Sequence, residues 1–161
     1  MSTHQKIKTP QALKKILLPR KKKKVVFTNG CFDLLHVGHV QYLQKAKKLG
    51  DILVLALNSD ASVQKIKGPN RPLVPFKQRA EIMAALECVD FVTSFSQPTP
   101  FNLIQFLKPH ILVKGGDWKI KDIVGATTVL QNGGKVKTIR YLSGKSTTNL
   151  IQTILKKYGT A

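Results

Sequence analysis

Apolar residues gather in five short runs along this chain, at Val25–Thr28, Ile52–Leu57, Phe91–Phe95, Ile111–Val113 and Val136–Arg140. Each has the length and β-branching of a strand. Between and after them, apolar positions recur at helical spacing near residues 39–49, 60–66, 75–87, 99–107, 122–131 and 146–157. Pro75 and Pro100 fit first-turn positions of their helices, and Thr99 fits the cap before the second. Short apolar strands separated by helices predict a parallel sheet covered on both faces. The fold class is therefore α/β, Rossmann-like, a doubly wound parallel sheet of five strands.

Ahead of the first strand the pattern changes. Residues 1–9 are polar and are expected to be loose. Thr9 and Pro10 read as cap and first residue of a short helix that carries Leu13, Ile16 and Leu17 and ends before Pro19. The run Arg20–Lys24 is a solvated basic linker. Residues 1–24 thus form an N-terminal helix and linker, and residues 25–161 form one domain, large enough for a proper core and too short for two.

Doubly wound sheets bind ligands beyond the carboxyl ends of their strands, where the strand order reverses. Two loops at such positions carry chemistry: Asn29–His39 after the first strand, and Lys114–Trp118 after the fourth. Setting the first strand beside the fourth makes these loops face each other, which predicts the order 3-2-1-4-5.

The first loop leads into a helix, so His36 and His39 fall at a helix entrance, three apart and on one face. Free N–H groups and a partial positive charge make such an entrance a seat for phosphate. Gly30 and Gly38 leave room for a ligand to approach the backbone. Two other readings compete: capping or core histidines, and a zinc site built from Cys31, Asp33, His36 and His39. Zinc sites usually draw on paired cysteines, and only one cysteine lies here.

Lys114-Gly115-Gly116-Asp117-Trp118 joins a cation to two permissive glycines and an aromatic ring. Ser143-Gly144-Lys145-Ser146-Thr147-Thr148 precedes the last helix, where Ser146 is a good cap and the hydroxyls also suit a leaving pyrophosphate. Lys65, Lys67 and Arg71 sit on a Gly/Pro-rich loop that could lid the site, and Arg79 lies on the helix behind it.

Composition adds a bias in charge. Lys and Arg number 27 against eight Asp and Glu, a net charge of +19. Such a field draws anions, but bidentate base and phosphate recognition leans on Arg, and only Arg20, Arg71, Arg79 and Arg140 are present. A nucleic-acid-binding module is the opposing class. It lacks interleaved aromatics, which make up 7% of the chain, and a basic recognition helix. Cys31 and Cys88 have no disulfide-framework spacing, which fits a cytoplasmic setting, and no apolar run approaches a membrane span.

The segment His36-Val37-Gly38-His39 resembles the His-x-Gly-His signature of the nucleotidyltransferase superfamily. Asn29–Asp33, Asn58–Ser62, Lys67-Gly68, Arg71-Pro72, Thr99-Pro100, Val113–Asp117 and Ser146–Thr148 follow in the order of the heptose 1-phosphate adenylyltransferase family, and the resemblance runs from Lys24 to Lys156. The Gly-Gly-Asp-Trp loop also resembles glycerol-3-phosphate cytidylyltransferases. The resemblance implies conversion of ATP and D-glycero-β-D-manno-heptose 1-phosphate to ADP-heptose and pyrophosphate, a step toward the lipopolysaccharide core. It implies catalytic roles for His36, His39 and Lys114. It implies nucleotide contacts from Asn29, Gly30, Cys31, Phe32, Gly38, Gly115, Asp117, Ser146 and Thr147. Substrate contacts fall to Asp33, Lys67, Arg71 and Arg79. Mg²⁺ is expected on the phosphates, with Asp33 as its protein-side partner or as an orienter of substrate, and a homodimer is one candidate assembly.

Overall fold

The central strands alternate with a period of two between two apolar layers. In β2 (Ile52–Asn58), Ile52, Val54 and Ala56 join one buried cluster while Leu53, Leu55 and Leu57 join the other. β1 (Val25–Gly30) divides the same way, with Val25 and Phe27 on one face and Val26 on the other. A strand buried on both faces can be apolar throughout, which explains the unbroken run at 52–57.

The computed structural model describes residues 2–20, 22–140, 144 and 146–159. Its sheet is wholly parallel and runs β3-β2-β1-β4-β5, with β3 at Phe91–Phe95, β4 at Ile111–Gly115 and β5 at Lys135–Ile139. This is the expected order. One face is covered by α3 (Val37–Lys47) and α5 (Phe76–Ala85), which contribute Tyr42, Leu43, Ala46, Ala80, Met83 and Ala84. The other is covered by α2 (Pro10–Leu17), α6 (Phe101–Leu107) and α7 (Ala126–Gln131), through Leu13, Leu17, Leu103, Ile104, Leu107 and Val129.

Several boundaries differ from expectation. The N-terminal residues are not loose: Thr3–Lys6 form a helical turn, α1, Ile7 bridges to Val92, and the Lys6 ammonium donates to the carbonyl of Leu86 at 3.1 Å. The edge strand β3 supplies the partner that sequence pattern could not reveal. β1 runs on through Asn29 and Gly30, which pair with Ala56 and Leu57, and β4 runs on through Lys114 and Gly115, which pair with Thr138 and Ile139. Thr99 does not cap α6; Pro100 holds the cap position without a side-chain bond. The helix expected at 122–131 is split into a 3-10 turn at Ile120–Asp122 and α7, because Gly125 turns left-handed (φ +85°) against the side chain of Ile104.

Candidate active site

A cavity of about 540 Å³ opens beyond the carboxyl ends of β1 and β4, within the range of small-molecule sites. Asn29, Gly30, Cys31, Phe32, Asp33, His36, Gly38, His39, Lys67, Arg71, Lys114, Ser146 and Thr147 all line it, so residues far apart in the chain meet there.

Its floor is the β1-to-α3 turn. Phe32 takes a left-handed backbone (φ +46°) and lays its buried ring over Gly30, where a Cβ would stand 2.8 Å from the Phe32 ring. A side chain at position 30 would collide with that ring, so the glycine admits Phe32. His36 occupies the cap position of α3 and its carbonyl accepts from the His39 N–H at 2.9 Å. The two imidazoles stack with centroids 3.8 Å apart and planes 23° apart, and the Phe32 ring stands 4.8 Å from His39. Both Nδ1 atoms are buried and have no partner among the described residues. With Nδ1 enclosed, Nε2 is the atom each ring has left to offer the cavity. Burial, and then the neighbouring His36, bring the His39 pKa down to about 4, and burial lowers that of His36. Both rings are neutral at pH 7, and a proton on Nε2 makes each a neutral donor.

One wall is the loop after α4 (Asp60–Lys67), held by Asp33. The Asp33 carboxylate accepts from the Arg71 Nε at 2.6 Å, the Leu73 N–H at 2.9 Å and the Val74 N–H at 2.8 Å. Burial works against its ionisation, but the two backbone N–H groups and the Arg71 guanidinium together hold its pKa below the ordinary value. Asp33 is an anchor that brings Lys67 and Arg71 to the cavity. Its oxygens are committed to that loop, so they do not fit a metal ligand. Among the described residues no group of three or more His, Cys, Asp or Glu is arranged for a metal ion, which also removes the zinc reading.

Arg79 does not reach the cavity. It is fully buried and donates to the carbonyls of Val74 (2.9 Å), Cys31 (2.5 Å) and Asn58 (2.9 Å) and to the Asp60 carboxylate (2.8 Å). It fastens the floor to the wall from behind. Burial pushes the Cys31 thiol up, against the pull of Lys67, Arg79 and Arg71.

The Lys114–Trp118 stretch splits. Lys114 lines the cavity, its ammonium without a hydrogen-bond or ion-pair partner among the described residues, and burial lowers its pKa. Gly115 is a buried strand residue, while Asp117 is exposed and pairs with Arg140 at 3.5 Å. Neither lines the cavity. Trp118 is half exposed.

The last wall is the entrance of α8 (Thr147–Tyr158). Ser146 caps it by accepting from the Asn149 N–H at 3.1 Å, and the Thr147 hydroxyl donates to the Leu34 carbonyl at 3.4 Å. Ser143 and Lys145 lie outside the described residues. Sequence reasoning missed Asn149 and Tyr42 as lining residues. Tyr42 follows His39 by three, a same-face spacing that could have flagged it. Its hydroxyl shares a 2.6 Å bond with Thr28 and donates to the Val113 carbonyl at 3.4 Å, tying α3 to β1 and β4.

The cytidylyltransferase-like family model matches residues 27–153. The chain belongs to the cytidylyltransferase-like family. Its sheet and helices are the nucleotidyltransferase fold of that family. Among curated family relatives, the chain is 57% identical over 137 residues to the bifunctional protein HldE of Geobacter sulfurreducens, covering 85% of this chain and 28% of that protein. It is 54% identical over 155 residues to the HldE protein of Syntrophotalea carbinolica, covering 95% of this chain and 32% of that one. The chain thus spans about a third of the length of the curated relatives it matches. Among solved structures, it is similar to a lipopolysaccharide core biosynthesis protein from Thermoplasma volcanium, with a TM-score of 0.60 and 28% identity, over 76% of this chain and 99% of that one. A pantoate-beta-alanine ligase from Francisella tularensis shares the fold at a TM-score of 0.59 and 17% identity, over 93% of this chain and 78% of that one.

Proposed function

We propose that this cytidylyltransferase-like chain is an adenylyltransferase that joins ATP to D-glycero-β-D-manno-heptose 1-phosphate, releasing pyrophosphate and forming ADP-heptose for the lipopolysaccharide core. The observation that carries it is the stacked pair His36 and His39, neutral and with buried Nδ1 atoms, facing the same cavity as the unpartnered Lys114. The choice of sugar draws on the order of motifs along the chain and on the likeness to the lipopolysaccharide core biosynthesis protein.

A sugar phosphate has a second pKa of about 6 and is mostly dianionic at neutral pH, so its own oxygen is the nucleophile. It attacks the α-phosphorus, the bond from the α-phosphorus to the bridging oxygen breaks, and pyrophosphate leaves with that electron pair. The protein supplies alignment and charge stabilisation. His36 and His39 donate to the nucleotide phosphates, Lys114 balances their charge, and the Ser146–Thr147 entrance receives pyrophosphate. Lys67 and Arg71 hold the incoming sugar phosphate. Magnesium brought in with the nucleotide would help neutralise the phosphate charge, and it would be held chiefly by the substrate, since among the described residues no group of His, Cys, Asp or Glu is arranged for a metal ion.

No helix among the described residues is long and apolar enough to cross a membrane. The free thiols Cys31 and Cys88, with the use of ATP, support a cytoplasmic setting. Exposed Ile154 and Leu155 on α8 support a homodimer, which light scattering would test.

The deciding experiment is a pyrophosphate-release screen of ATP and CTP against heptose 1-phosphate and glycerol 3-phosphate. ATP with heptose 1-phosphate is the expected productive pair. Release only from CTP with glycerol 3-phosphate would transfer the chain to the cytidylyltransferase reaction. Silence from every pair would sink the enzymatic reading.

A further inference from the structure

In a wholly parallel sheet the strands begin at one pole and the cavity lies at the other. The beginning pole of this sheet is lysine-rich. Lys22, Lys23 and Lys24 lead into β1, Lys47 and Lys48 precede β2, Lys108 precedes β4, and Lys135 opens β5. Backbone contacts bring these approaches together: Asp51 N–H to the Lys24 carbonyl at 2.8 Å, His110 N–H to the Val25 carbonyl at 3.0 Å, and Lys135 N–H to the His110 carbonyl at 2.8 Å. Lys47 is paired with Asp90 at 2.5 Å. Lys22, Lys23, Lys24, Lys48, Lys108 and Lys135 are exposed and have no ion pair among the described residues.

The same pole exposes apolar surface. A groove of about 340 Å³ runs between Leu17, Leu18, Val25 and Leu107, with Lys14 and Lys108 on its edge. Leu18 is 51% exposed and Phe106 43%. Lys14 stands against Phe106, donating to its carbonyl at 2.7 Å and lying over its ring. Lysine-rich surface around a few exposed apolar side chains is the make-up of a face that lies on an anionic bilayer. Nucleic acid fits less well, because none of these cations is an arginine and Phe106 alone is a single stacking surface.

We infer that the pole opposite the cavity is a peripheral docking face for an anionic lipid surface, with lysines 22–24, 108 and 135 meeting headgroups and Leu18 and Phe106 entering the interface. The inference does not depend on which nucleotide or sugar the cavity takes. Docked this way, the protein keeps its cavity open to solution.

The test is co-sedimentation of the full chain with phosphatidylglycerol-rich vesicles and with vesicles of phosphatidylcholine alone. Binding is expected to the first only, and to fade as salt rises. Each lysine near an anionic surface contributes about a fivefold gain. The combined variant Lys22→Glu, Lys23→Glu, Lys108→Glu should therefore lose more than about 100-fold. A control with equal charge change on other exposed positions, Lys77→Glu, Lys119→Glu, Lys121→Glu, should keep most of the binding. Leu18→Ser should weaken vesicle binding without altering thermal melting. Equal binding to neutral vesicles, no binding at all, or equal loss in both triple variants would each overturn the inference. So would pole-dependent binding of single-stranded RNA in the absence of vesicle binding.

Discussion

His36 and His39 stack face to face, 3.8 Å between centroids, in a setting that keeps both rings uncharged. Two imidazolium ions could not share this arrangement without strong repulsion. As neutral donors they can follow a phosphate as its charge grows. His39, in the first turn of α3 and the more depressed of the two, is placed to act mainly in the transition state. His39→Ala is expected to lower kcat by roughly 100- to 1,000-fold with little change in KM for ATP, as removal of a single oxyanion donor does. Circular dichroism and melting should first confirm the fold. A folded variant with near-normal kcat would reduce the pair to helix capping.

The histidine pair also makes a pH prediction. A pKa of about 4 for His39 in the folded chain lies below the ordinary value of 6.5, so the unfolded chain binds more protons between these values. Stability contributed by keeping His39 neutral is complete above about pH 6.5 and is lost as pH falls toward 4. His36 shifts the same way. Proton NMR of the imidazole Cε1–H should find His39 neutral well below pH 6. Urea unfolding should show stability declining across the same window, and His39→Gln should flatten that decline.

Asp33 reaches the chemistry through Arg71. In Asp33→Asn the single amide oxygen cannot replace a carboxylate that serves Arg71, Leu73 and Val74 at once, and the amide N–H groups face donors. Loss of charge-assisted bonds of this kind costs about 1.5–3 kcal/mol. The expected phenotype is KM for the sugar phosphate raised by roughly tenfold or more, with KM for ATP changed less. Steady-state kinetics varying each substrate separates the two, and an equal rise in both would count against a positioning role.

Arg79 should behave as a structural residue despite its charge. Arg79→Met removes the donors to three carbonyls and the partner of Asp60, and a cost of about 3–5 kcal/mol in urea unfolding is expected. Arg79→Lys should recover little, because one ammonium cannot span the four acceptors. Normal stability of Arg79→Met with a selective rise in one KM would restore it to the substrate.

Much of this was legible in the chain. The apolar run at Ile52–Leu57 and its neighbours gave strand number, since burial on both faces leaves a signature in one dimension, and the order followed from letting the loops Asn29–His39 and Lys114–Trp118 face each other. Apolar residues at helical spacing after the first strand located the entrance of α3 and so set His36 and His39 there. What escaped depends on partners distant in sequence. Asp33 could be read as a metal or substrate group because nothing local announces that Leu73 and Val74 will turn their N–H groups toward it. Arg79 on a helix looks the same whether it points to solvent, ligand or buried carbonyls. Asp117 shared a motif with Lys114, but β4 carries alternate residues to opposite sides and the chain then leaves the cavity.

The α8 helix supplies Ser146 and Thr147 to the cavity, and none of its residues is buried. Within a single copy of the chain, the bonds holding it among the described residues are polar ones, separate from the apolar burial that holds the sheet together. The cavity can shed one wall and regain it while β1 through β5 stay closed. Entry of a nucleotide and escape of product then need no breathing of the core, and hydrogen exchange along 147–158 would run on its own clock, ahead of every strand.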